Sequence, residues 1–346
     1  MSASRGEPSA SDLLAEMREA STNDELRRAL QRARQALARK QAAAAELEAT
    51  VYQAAYDAAI SVEPLPPAPA RDRRTRRSEV ALLHLTDWQW GKETTSFNSE
   101  IVGQRVDTVI QRCMSIVDVV RSGVPVRECH VMLGGDMVEG LNIFPGQAWE
   151  VDATLYDQMF GVAAKIAAVL RDLTGVFDVV HVWPEYGNHG RLGRIGEAPP
   201  SDNIDRMAYG IARIALGPDP QRIVWHQEWS WHQIVKIGEY RALLVHGDEV
   251  RSFGGNHPSY GILKRVMGWK AGGGVAPFRD AYFGHFHRPD TYTLPDGGSV
   301  FLTGSIESGN EYAASAMGAT GVPQQRLHFI DPEGGRVTAE YRVYAT

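Results

Sequence analysis

The sequence predicts an α/β protein in which helices cover two mixed β-sheets. From residue 80 to residue 215, apolar strand-like runs alternate with stretches of helical periodicity. From residue 223 onward, short strand-like runs are separated by hairpin turn signals such as Asp296-Gly297-Gly298. Five short polar stretches also follow apolar runs in succession, and an α/β fold gathers its functional groups at strand ends. These patterns predict both the fold class and the edge of the sheets where a site should form.

The first half of this region is predicted to contain three strands, each followed by a helix. The predicted elements, in chain order, are strand Val80–Thr86, helix Val102–Val120, strand Glu128–Gly134, helix Thr154–Leu173, strand Phe177–Trp183 and helix Asn203–Ala215.

The second half is predicted to be mostly short strands around one helix, Tyr260–Trp269. Because several of these strands are joined by tight turns, we expect antiparallel pairs beside the parallel units. The predicted strands are Ile223–Trp225, Trp231–Ile237, Arg241–Val245, Tyr282–Phe283, Thr291–Leu294, Ser299–Leu302, Gln325–Phe329 and Arg336–Tyr344.

Residues 1–62 are predicted to form a helical extension before the α/β domain. Residues 10–60 lack glycine and proline, and Ser21-Thr22-Asn23-Asp24-Glu25 has the pattern of a helix start. Apolar residues then recur at heptad spacing, with Lys40 in the one gap. The spacing favours equally a coiled coil, which would make the chain a homo-oligomer, and a long helix docked on its own chain. The apolar positions are Leu26, Leu30, Ala33, Leu37, Ala44, Leu47, Val51, Ala54 and Ala58.

Residues 63–79 are predicted to be a linker rich in proline and arginine, which leaves residues 80–346 as the main domain. Prolines at 64, 66, 67 and 69 end the helix and extend the chain. Arginines at 71, 73, 74, 76 and 77 would be able to contact phosphates. A solvated linker is the favoured interpretation of this basic run.

Composition argues against a membrane protein and a secreted protein. No apolar run approaches the roughly 18 residues of a membrane span. The N-terminus lacks a signal pattern, and Cys113 and Cys129 lie in apolar surroundings, so we expect a cytoplasmic protein with buried, reduced thiols. The net charge is −6, with net +2 on residues 1–77 and therefore −8 on the remainder. Because divalent cations can neutralise an acidic centre, this charge neither excludes nor favours a nucleic-acid substrate.

The five polar stretches contain the residue types of a metal site. Carboxylates and a side-chain amide supply oxygen, imidazoles supply nitrogen, and no thiolate takes part. Such a ligand mixture suits Mn²⁺, Fe²⁺ or Zn²⁺. The stretches are Asp87-Trp88-Gln89, Gly135-Asp136, Gly187-Asn188-His189, Val245-His246-Gly247-Asp248 and Gly284-His285-Phe286-His287.

In order and spacing, these stretches resemble the motifs of the calcineurin-like metallophosphoesterase superfamily: Asp-x-His, Gly-Asp, Gly-Asn-His-Asp/Glu, His and Gly-His-x-His. The resemblance covers residues 80 to about 305 and includes all five motifs. It implies a four-layer αββα sandwich of two mixed β-sheets with a centre of two divalent metal ions. Mn²⁺ is the first choice of metal, and Mg²⁺, Fe²⁺ and Zn²⁺ are the alternatives.

Carried over by position, the resemblance implies that Asp87 and His287 bind the first metal and that Asp136 bridges both. The family's Asp-x-His is Asp-x-Gln in this chain, so Gln89 replaces an imidazole by a neutral amide oxygen. Because that oxygen is the weaker ligand for zinc or iron, the first metal would be weakly held, closer to a Mn²⁺ or Mg²⁺ site, or lost. We predict that Gln89 still faces it.

For the second metal, the resemblance implies Asn188, His246 and His285 as ligands. His189 would lie beside both metals, contact the scissile phosphate and protonate the leaving group, with Asp136 as the other catalytic residue. A histidine whose pKa lies near ambient pH suits proton donation.

Four residues near these motifs are candidates for substrate binding. Arg191 stands close to where the family has an acid after Gly-Asn-His, and it would either face a phosphate or be solvated. Trp88 and Trp90 flank the first motif and would be able to stack on a base, but buried packing is the favoured role for at least one of them. Lys92 lies just past the same motif. His257 lies in a glycine-rich segment that would serve as a lid.

The favoured function is a metal-dependent phosphodiesterase, a DNA exo- or endonuclease. Thr86, Asp87, Gly91 and Lys92 are similar to the first motif of the SbcD-like double-strand-break repair nucleases of bacteria and their phages. DNA is then the expected partner, in the cytoplasm of a bacterium or a phage-infected cell. The alternatives are a phosphomonoesterase acting on proteins or small molecules, and a catalytically weak scaffold that acts through the N-terminal helix.

Overall fold

The computed structural model describes residues 23–60, 64–75, 77–141, 143–144, 146–193, 196–219, 221–228, 230–250, 259–309 and 322–346. The chain divides after Ile60 into two compact units. The first contains one long helix, α1 (Asn23–Ile60), which begins with two acidic residues in its first turn, as the sequence pattern predicts. Whether α1 dimerises remains a prediction.

The second unit contains a six-stranded mixed sheet. Its strand order is β11-β10-β1-β2-β3-β4, in which β1 to β4 are parallel and β10 and β11 are antiparallel to their neighbours. Strand β1 is a continuous apolar run because both faces of this sheet are covered. The strands are β1 (Glu79–Leu85), β2 (Val126–Gly134), β3 (Val179–Glu185), β4 (Ile223–Trp225), β10 (Gln324–Asp331) and β11 (Arg336–Tyr344).

A five-stranded mixed sheet has the order β5-β6-β7-β9-β8. Strands β6, β7 and β9 are parallel, and β5 and β8 pair with them in antiparallel orientation. The strands are β5 (Gln233–Ile237), β6 (Tyr240–Val245), β7 (Asp280–Phe283), β8 (Asp290–Thr293) and β9 (Ser299–Leu302).

Helices cover the outer face of each sheet. The six-stranded sheet carries α2 (Ser99–Gly123), α3 (Leu155–Thr174) and α4 (Ile204–Ala215), and the five-stranded sheet carries α5 (Ser259–Lys270).

Alternate residues of the central strands face opposite sides. In β6, Leu244 packs between the sheets against Leu82 and Met132, whereas Val245 packs outward against Val266 of α5. This arrangement is a four-layer αββα sandwich, and the predicted fold class is confirmed.

The predicted helices and strands from residue 80 onward are all present, with ends that differ from the predicted ones by at most a few residues. Cys113 and Cys129 are buried free thiols, as expected. Among the described residues, no helix is both long enough and apolar enough to cross a membrane.

The proline- and arginine-rich stretch is less solvated than the sequence suggests. Arg74 forms an ion pair with Asp72 at 2.5 Å and donates to the Arg121 carbonyl at 2.8 Å. Arg77 forms an ion pair with Asp331, and Arg222 donates to the Pro66 carbonyl at 2.5 Å. Arg74 and Arg77 therefore pair with carboxylates of the same unit, although their side chains remain 37 % and 52 % exposed, and the linker interpretation stays a prediction.

Candidate metal centre

The carboxyl ends of five strands from both sheets supply the polar motifs. In the six-stranded sheet, Asp87 follows β1, Asp136 follows β2 and Asn188 follows β3. In the five-stranded sheet, His246 follows β6 and His285 follows β7. The two sheets therefore deliver these side chains to one shared edge.

One set of ligands consists of Asp136, His246 and His285, whose ligand atoms lie within 4.8 Å of one another. His246 Nδ1 lies 2.8 Å from the Gly134 carbonyl, to which it donates, so the neutral ring presents a lone pair at Nε2. That nitrogen lies 3.0 Å from Asp136 Oδ2 and 3.2 Å from Asn188 Oδ1. Three lone-pair donors thus converge, which is the arrangement a cation needs.

A second set consists of Asp87, Asp136 and His287, so Asp136 belongs to both. His287 Nδ1 donates to Glu307 Oε1 at 2.5 Å, which leaves Nε2 directed at Asp87 Oδ1, 3.2 Å away. Gln89 is fully buried, and its amide Nε2 lies 3.3 Å from His287 Nε2. The structure therefore places Gln89 at the first site, where the sequence predicts it.

Unpartnered buried atoms show that these residues fit cations. Oδ2 of Asp136 and Oε1 of Gln89 are buried and accept no hydrogen bond. A buried oxygen without a donor is costly unless a cation or water meets it. Two hydrogen bonds hold the carboxylate of Asp87 in place, because it accepts from the His285 amide at 2.9 Å and from the Thr86 hydroxyl at 2.8 Å. The donor set thus fits two divalent metals that share Asp136.

Backbone strain is concentrated in this set. Five non-glycine residues of the described chain have positive φ, between 51° and 64°, and all five are predicted metal ligands. A non-glycine residue in this region costs on the order of 1–3 kcal/mol, so the surrounding structure must impose it. The strain turns the side chains back over the strand ends. The residues are Asp87, Gln89, Asp136, His285 and His287.

His189 lies beside the two sets without joining them. Its amide donates to Asp136 Oδ1 at 2.7 Å, and its Nδ1 donates to the Glu139 carbonyl at 2.7 Å. The other ring nitrogen, Nε2, lies 3.9 Å from Asp136 Oδ2, and the side chain is 16 % exposed. His189 Nε2 therefore faces the shared carboxylate of the two ligand sets from a partly exposed position.

The charges of the site shift the histidine pKa values in opposite directions. Burial by itself would lower the pKa of His189, but the carboxylates of Asp136 and Glu139 outweigh it and raise the pKa to about 9. Burial likewise opposes protonation of His246, whose pKa Asp136 nevertheless raises well above the usual value. Burial and the neighbouring His246 lower the pKa of His285 to about 4. The carboxylates thus stabilise positive charge at this site, which bound cations would supply in place of protons.

An ion network links His189 to His287. Lys92 is 6 % exposed, and its Nζ lies 3.6 Å from Glu139 Oε1 and 3.5 Å from Glu307 Oε2. Glu139 Oε2 lies 3.4 Å from His189 Nδ1. Glu139 thus lies between Lys92 and the His189 ring. Lys92 was predicted to bind substrate, but in this structure its ammonium group lies between the carboxylates of Glu139 and Glu307.

Four supporting residues were missed by sequence reasoning. Asp205 accepts from the amides of Met137 and Gly187, at 3.1 and 3.0 Å, and so joins the second and third motif loops. Burial and Asp136 raise the pKa of Asp205 to about 6. Glu307 lies after β9 at the same sheet edge as the motifs, and this position after a predicted strand is a signal from which the sequence could have indicated it. The missed residues are Asn203, Asp205, Gln147 and Glu307.

The remaining predicted substrate residues have different outcomes. Trp88 is fully buried, so its ring offers no face to a base, and the stacking prediction is corrected to core packing. Arg191 is partly exposed, and its Nη1 lies 3.9 Å from Asp248 Oδ2. His257 lies outside the described residues.

A second group of ligand types lies in the first half of β2 and β3, where Glu128, His130 and His181 also come within 4.8 Å of one another. This lower cluster faces a cavity of about 290 Å³. Trp183 Nε1 donates to His130 Nδ1 at 3.0 Å, so neutral His130 carries its proton on Nε2 and cannot bind metal there. His181 Nδ1 and His226 Nε2, 2.9 Å apart, share one hydrogen bond. The lower cluster thus lacks a full ligand set among the described residues.

No family model and no curated protein matches this chain. Solved structures do match, 66 chains in all. A Streptococcus pneumoniae TIGR4 protein described as a predicted phosphoesterase is 11 % identical, with a TM-score of 0.31 over 77 % of this chain and 99 % of that chain. Entamoeba histolytica Vps29 complexed with Zn²⁺ is 14 % identical, with a TM-score of 0.33 and coverage of 77 % and 99 %. A Mycoplasma pneumoniae phosphatase is 9 % identical, with a TM-score of 0.32 and coverage of 78 % and 94 %.

Identities and TM-scores this low carry no conclusion about activity. The fold therefore rests on the strand order and layers of this chain, and the site rests on its own distances. Together they give a four-layer α/β protein with a candidate centre for two divalent cations at one sheet edge.

Proposed function

We propose that this chain is a calcineurin-like metallophosphoesterase that hydrolyses phosphodiester bonds of nucleic acid, with DNA as the favoured substrate. The observation that carries the proposal is the pair of ligand sets that share Asp136, with His189 Nε2 directed at them. A phosphate needs cations on its oxygens and a proton donor at its leaving oxygen. This edge of the sheets combines both in one place.

Each residue of the site then has a separate task. Asp87, Gln89, Asp136 and His287 would hold one cation, and Asp136 would hold the other together with Asn188, His246 and His285. Mn²⁺ is the first choice for a set of oxygen and nitrogen ligands that contains an amide. Two such cations supply Lewis-acid activation of the phosphate and of water.

His189 supplies the proton. Its Nδ1 is engaged by the Glu139 carbonyl, which keeps the ring oriented and leaves Nε2 free to donate. The pKa of about 9 keeps the ring protonated at neutral pH, and bound cations would lower this pKa by repulsion. Such a donor suits an alkoxide leaving group, which is the sugar hydroxyl in nucleic acid.

The test is metal-dependent cleavage of labelled single- and double-stranded DNA and RNA by protein that has been stripped with chelator and reloaded. We expect Mn²⁺ to restore cleavage and Asp136→Asn to reduce it to background. Asp118→Asn is the matched control, because Asp118 is an exposed acid of α2 that pairs only loosely with Arg121 at 3.6 Å. If no phosphate ester is hydrolysed with Mn²⁺, Mg²⁺, Fe²⁺ or Zn²⁺, the proposal is refuted and the scaffold alternative stands.

A phosphomonoesterase is the second candidate, and Arg191 is the observation that favours it. Its Nε is buried without a hydrogen-bond partner among the described residues, and its Nη1 lies 3.9 Å from Oδ2 of Asp248, two residues after His246. A terminal phosphate carries one more negative charge than a diester, which this guanidinium would neutralise. Arg191→Gln should then reduce monoester turnover at least ten times more than diester turnover in chromogenic assays. Equal effects on both would remove the support for this candidate.

A further inference from the structure

We propose that Phe144, Trp149 and Tyr156 form an aromatic ledge that stacks nucleobases next to the scissile phosphodiester. The proposal rests on the nuclease function proposed above and names the substrate contact that these three side chains would make. Sequence reasoning assigned no role to any of the three.

The exposure of these rings is the first observation. Trp149 is 91 % exposed, more than any other large hydrophobic residue in the described part of the chain. Tyr156 and Phe144 are 46 % and 37 % exposed. A tryptophan left in water forfeits a large burial energy, and an exposed apolar surface marks a binding surface.

The ledge is joined to the candidate metal centre through Gln147. This side chain is fully buried, and its Nε2 donates to the Glu139 carbonyl at 2.7 Å and to Glu139 Oε1 at 3.0 Å. The same nitrogen lies 3.5 Å from His189 Nδ1. Trp149 follows two residues later in the same three-residue 3₁₀ turn, so the backbone that carries its ring is fixed to the residue that contacts Glu139.

Backbone contacts on both sides of Trp149 hold the ledge in place. The Trp149 amide donates to the Gly146 carbonyl at 2.9 Å, and the Glu93 amide donates to the Glu150 carbonyl at 2.8 Å. Lys92 pairs with Val151 in an antiparallel bridge. A platform that is ordered before the substrate arrives loses little entropy when a base stacks on it.

The charges around the ledge favour stacking over phosphate contacts. Glu150 is exposed next to Trp149, and Asp152 is occupied by the amide and hydroxyl of Ser99, both at 2.7 Å. Acidic neighbours repel a phosphate backbone, but the faces of bases are uncharged and stack on any aromatic ring. The ledge should therefore contribute affinity that depends little on salt, unlike contacts from lysine or arginine.

The experiment measures cleavage of a single-stranded oligonucleotide and of the same oligonucleotide with abasic sites on both sides of the scissile linkage, in Mn²⁺. We expect Trp149→Ala to raise KM for the base-bearing substrate about 5- to 100-fold, the range for loss of one stacking aromatic. KM for the abasic substrate should not change, and the ratio should be the same at low and high salt. Trp149→Phe should retain most of the affinity.

Tyr344→Ala is the matched control, because Tyr344 is 43 % exposed on the last strand of the six-stranded sheet. If the wild-type chain cleaves the oligonucleotide and Trp149→Ala leaves its KM within twofold, the ledge is refuted while the nuclease function stands. If Trp149→Ala weakens both substrates equally, the ring has a structural role and the ledge is also refuted. If the wild-type chain cleaves only small esters, the nuclease function fails and the ledge fails with it.

Discussion

Two groups of carboxylate and imidazole side chains lie at different levels along the strands of this protein. In the upper group, Asp136, His246 and His285 lie past the carboxyl ends of their strands, and in the lower cluster Glu128, His130 and His181 lie in the first halves of β2 and β3. Both groups satisfy the same distance criterion for a metal site. They differ in what meets the far side of each imidazole ring.

For His246 in the upper group, and for His287 in the other ligand set, that partner is an acceptor. The Gly134 carbonyl accepts a hydrogen bond from His246 Nδ1, and Glu307 accepts one from His287 Nδ1, so both Nε2 atoms keep a lone pair. In the lower cluster, Trp183 donates to His130 and thereby forces the proton onto the nitrogen that would bind metal. Proximity alone therefore does not make a metal site, because the hydrogen bond behind the ring decides which nitrogen is free.

The largest effect is expected from His189, the proposed proton donor beside the upper group. His189→Gln removes the donor and keeps a polar side chain, so kcat should fall about 100- to 10,000-fold for substrates with alkoxide leaving groups. A nitrophenyl ester, whose leaving group needs no proton, should lose far less. Steady-state kinetics with both substrates measures this difference, and an equal loss would indicate that His189 only organises the site.

The next effect concerns the acceptor behind His287. Glu307→Gln removes the carboxylate that orients His287 and should weaken the binding of one metal about 10- to 100-fold, while the other binds as before. Isothermal titration of chelator-stripped protein measures both affinities. Glu340→Gln is the matched control, because Glu340 pairs with Arg326 on the far strands. Equal weakening of both metals would contradict separate roles for the two ligand sets.

Acid should destabilise the lower cluster. Burial, together with His181, lowers the pKa of His226 from 6.5 to about 4. The unfolded chain therefore binds a proton that the folded chain excludes, so stability is complete above pH 6.5 and is lost as the pH falls toward 4.

Because the ring is about half buried, we discount the full linkage value and expect a loss on the order of 1–2 kcal/mol. Denaturant unfolding of metal-free protein at pH 7 and pH 5 measures it. His226→Asn should flatten this pH dependence, and an unchanged profile in the variant would show that His226 does not contribute.

A smaller gain is expected at Gln89. Gln89→His should tighten the first metal on the order of tenfold, because an imidazole replaces an amide oxygen as ligand for zinc or iron. The comparison is made by metal titration of wild-type and variant protein. No change in affinity would mean that residue 89 does not reach the metal.

The smallest effect is expected from substitutions in the lower cluster. Glu128→Gln and His181→Gln should leave the number of bound metals unchanged, because the lower cluster lacks a full ligand set among the described residues. Elemental analysis after loading with Mn²⁺ or Zn²⁺ counts the metals. Loss of one metal in either variant would make the lower cluster a metal site and overturn the tautomer argument.

Much of the fold and of the site could be predicted from the sequence. Periodicity located the strands and helices, and the motifs after them located the ligands, because both signals are local in the chain. Glu307 and Asp205 escaped prediction because each acts on a motif that lies far from it in sequence. Trp88 was misplaced because a tryptophan beside a metal motif has the same local pattern whether it faces substrate or the core.

By itself, the sequence determined which donor types follow which strands and in what order. The tertiary structure decided which nitrogen of each histidine is free, since the atom that meets the ring from behind belongs to a distant part of the chain. Gly134 lies 112 residues from His246, and Trp183 lies 53 residues from His130. Hydrogen bonds between such residues exist only after the strands have aligned, so the difference between a metal site and a cluster of packed rings appears only in the folded protein.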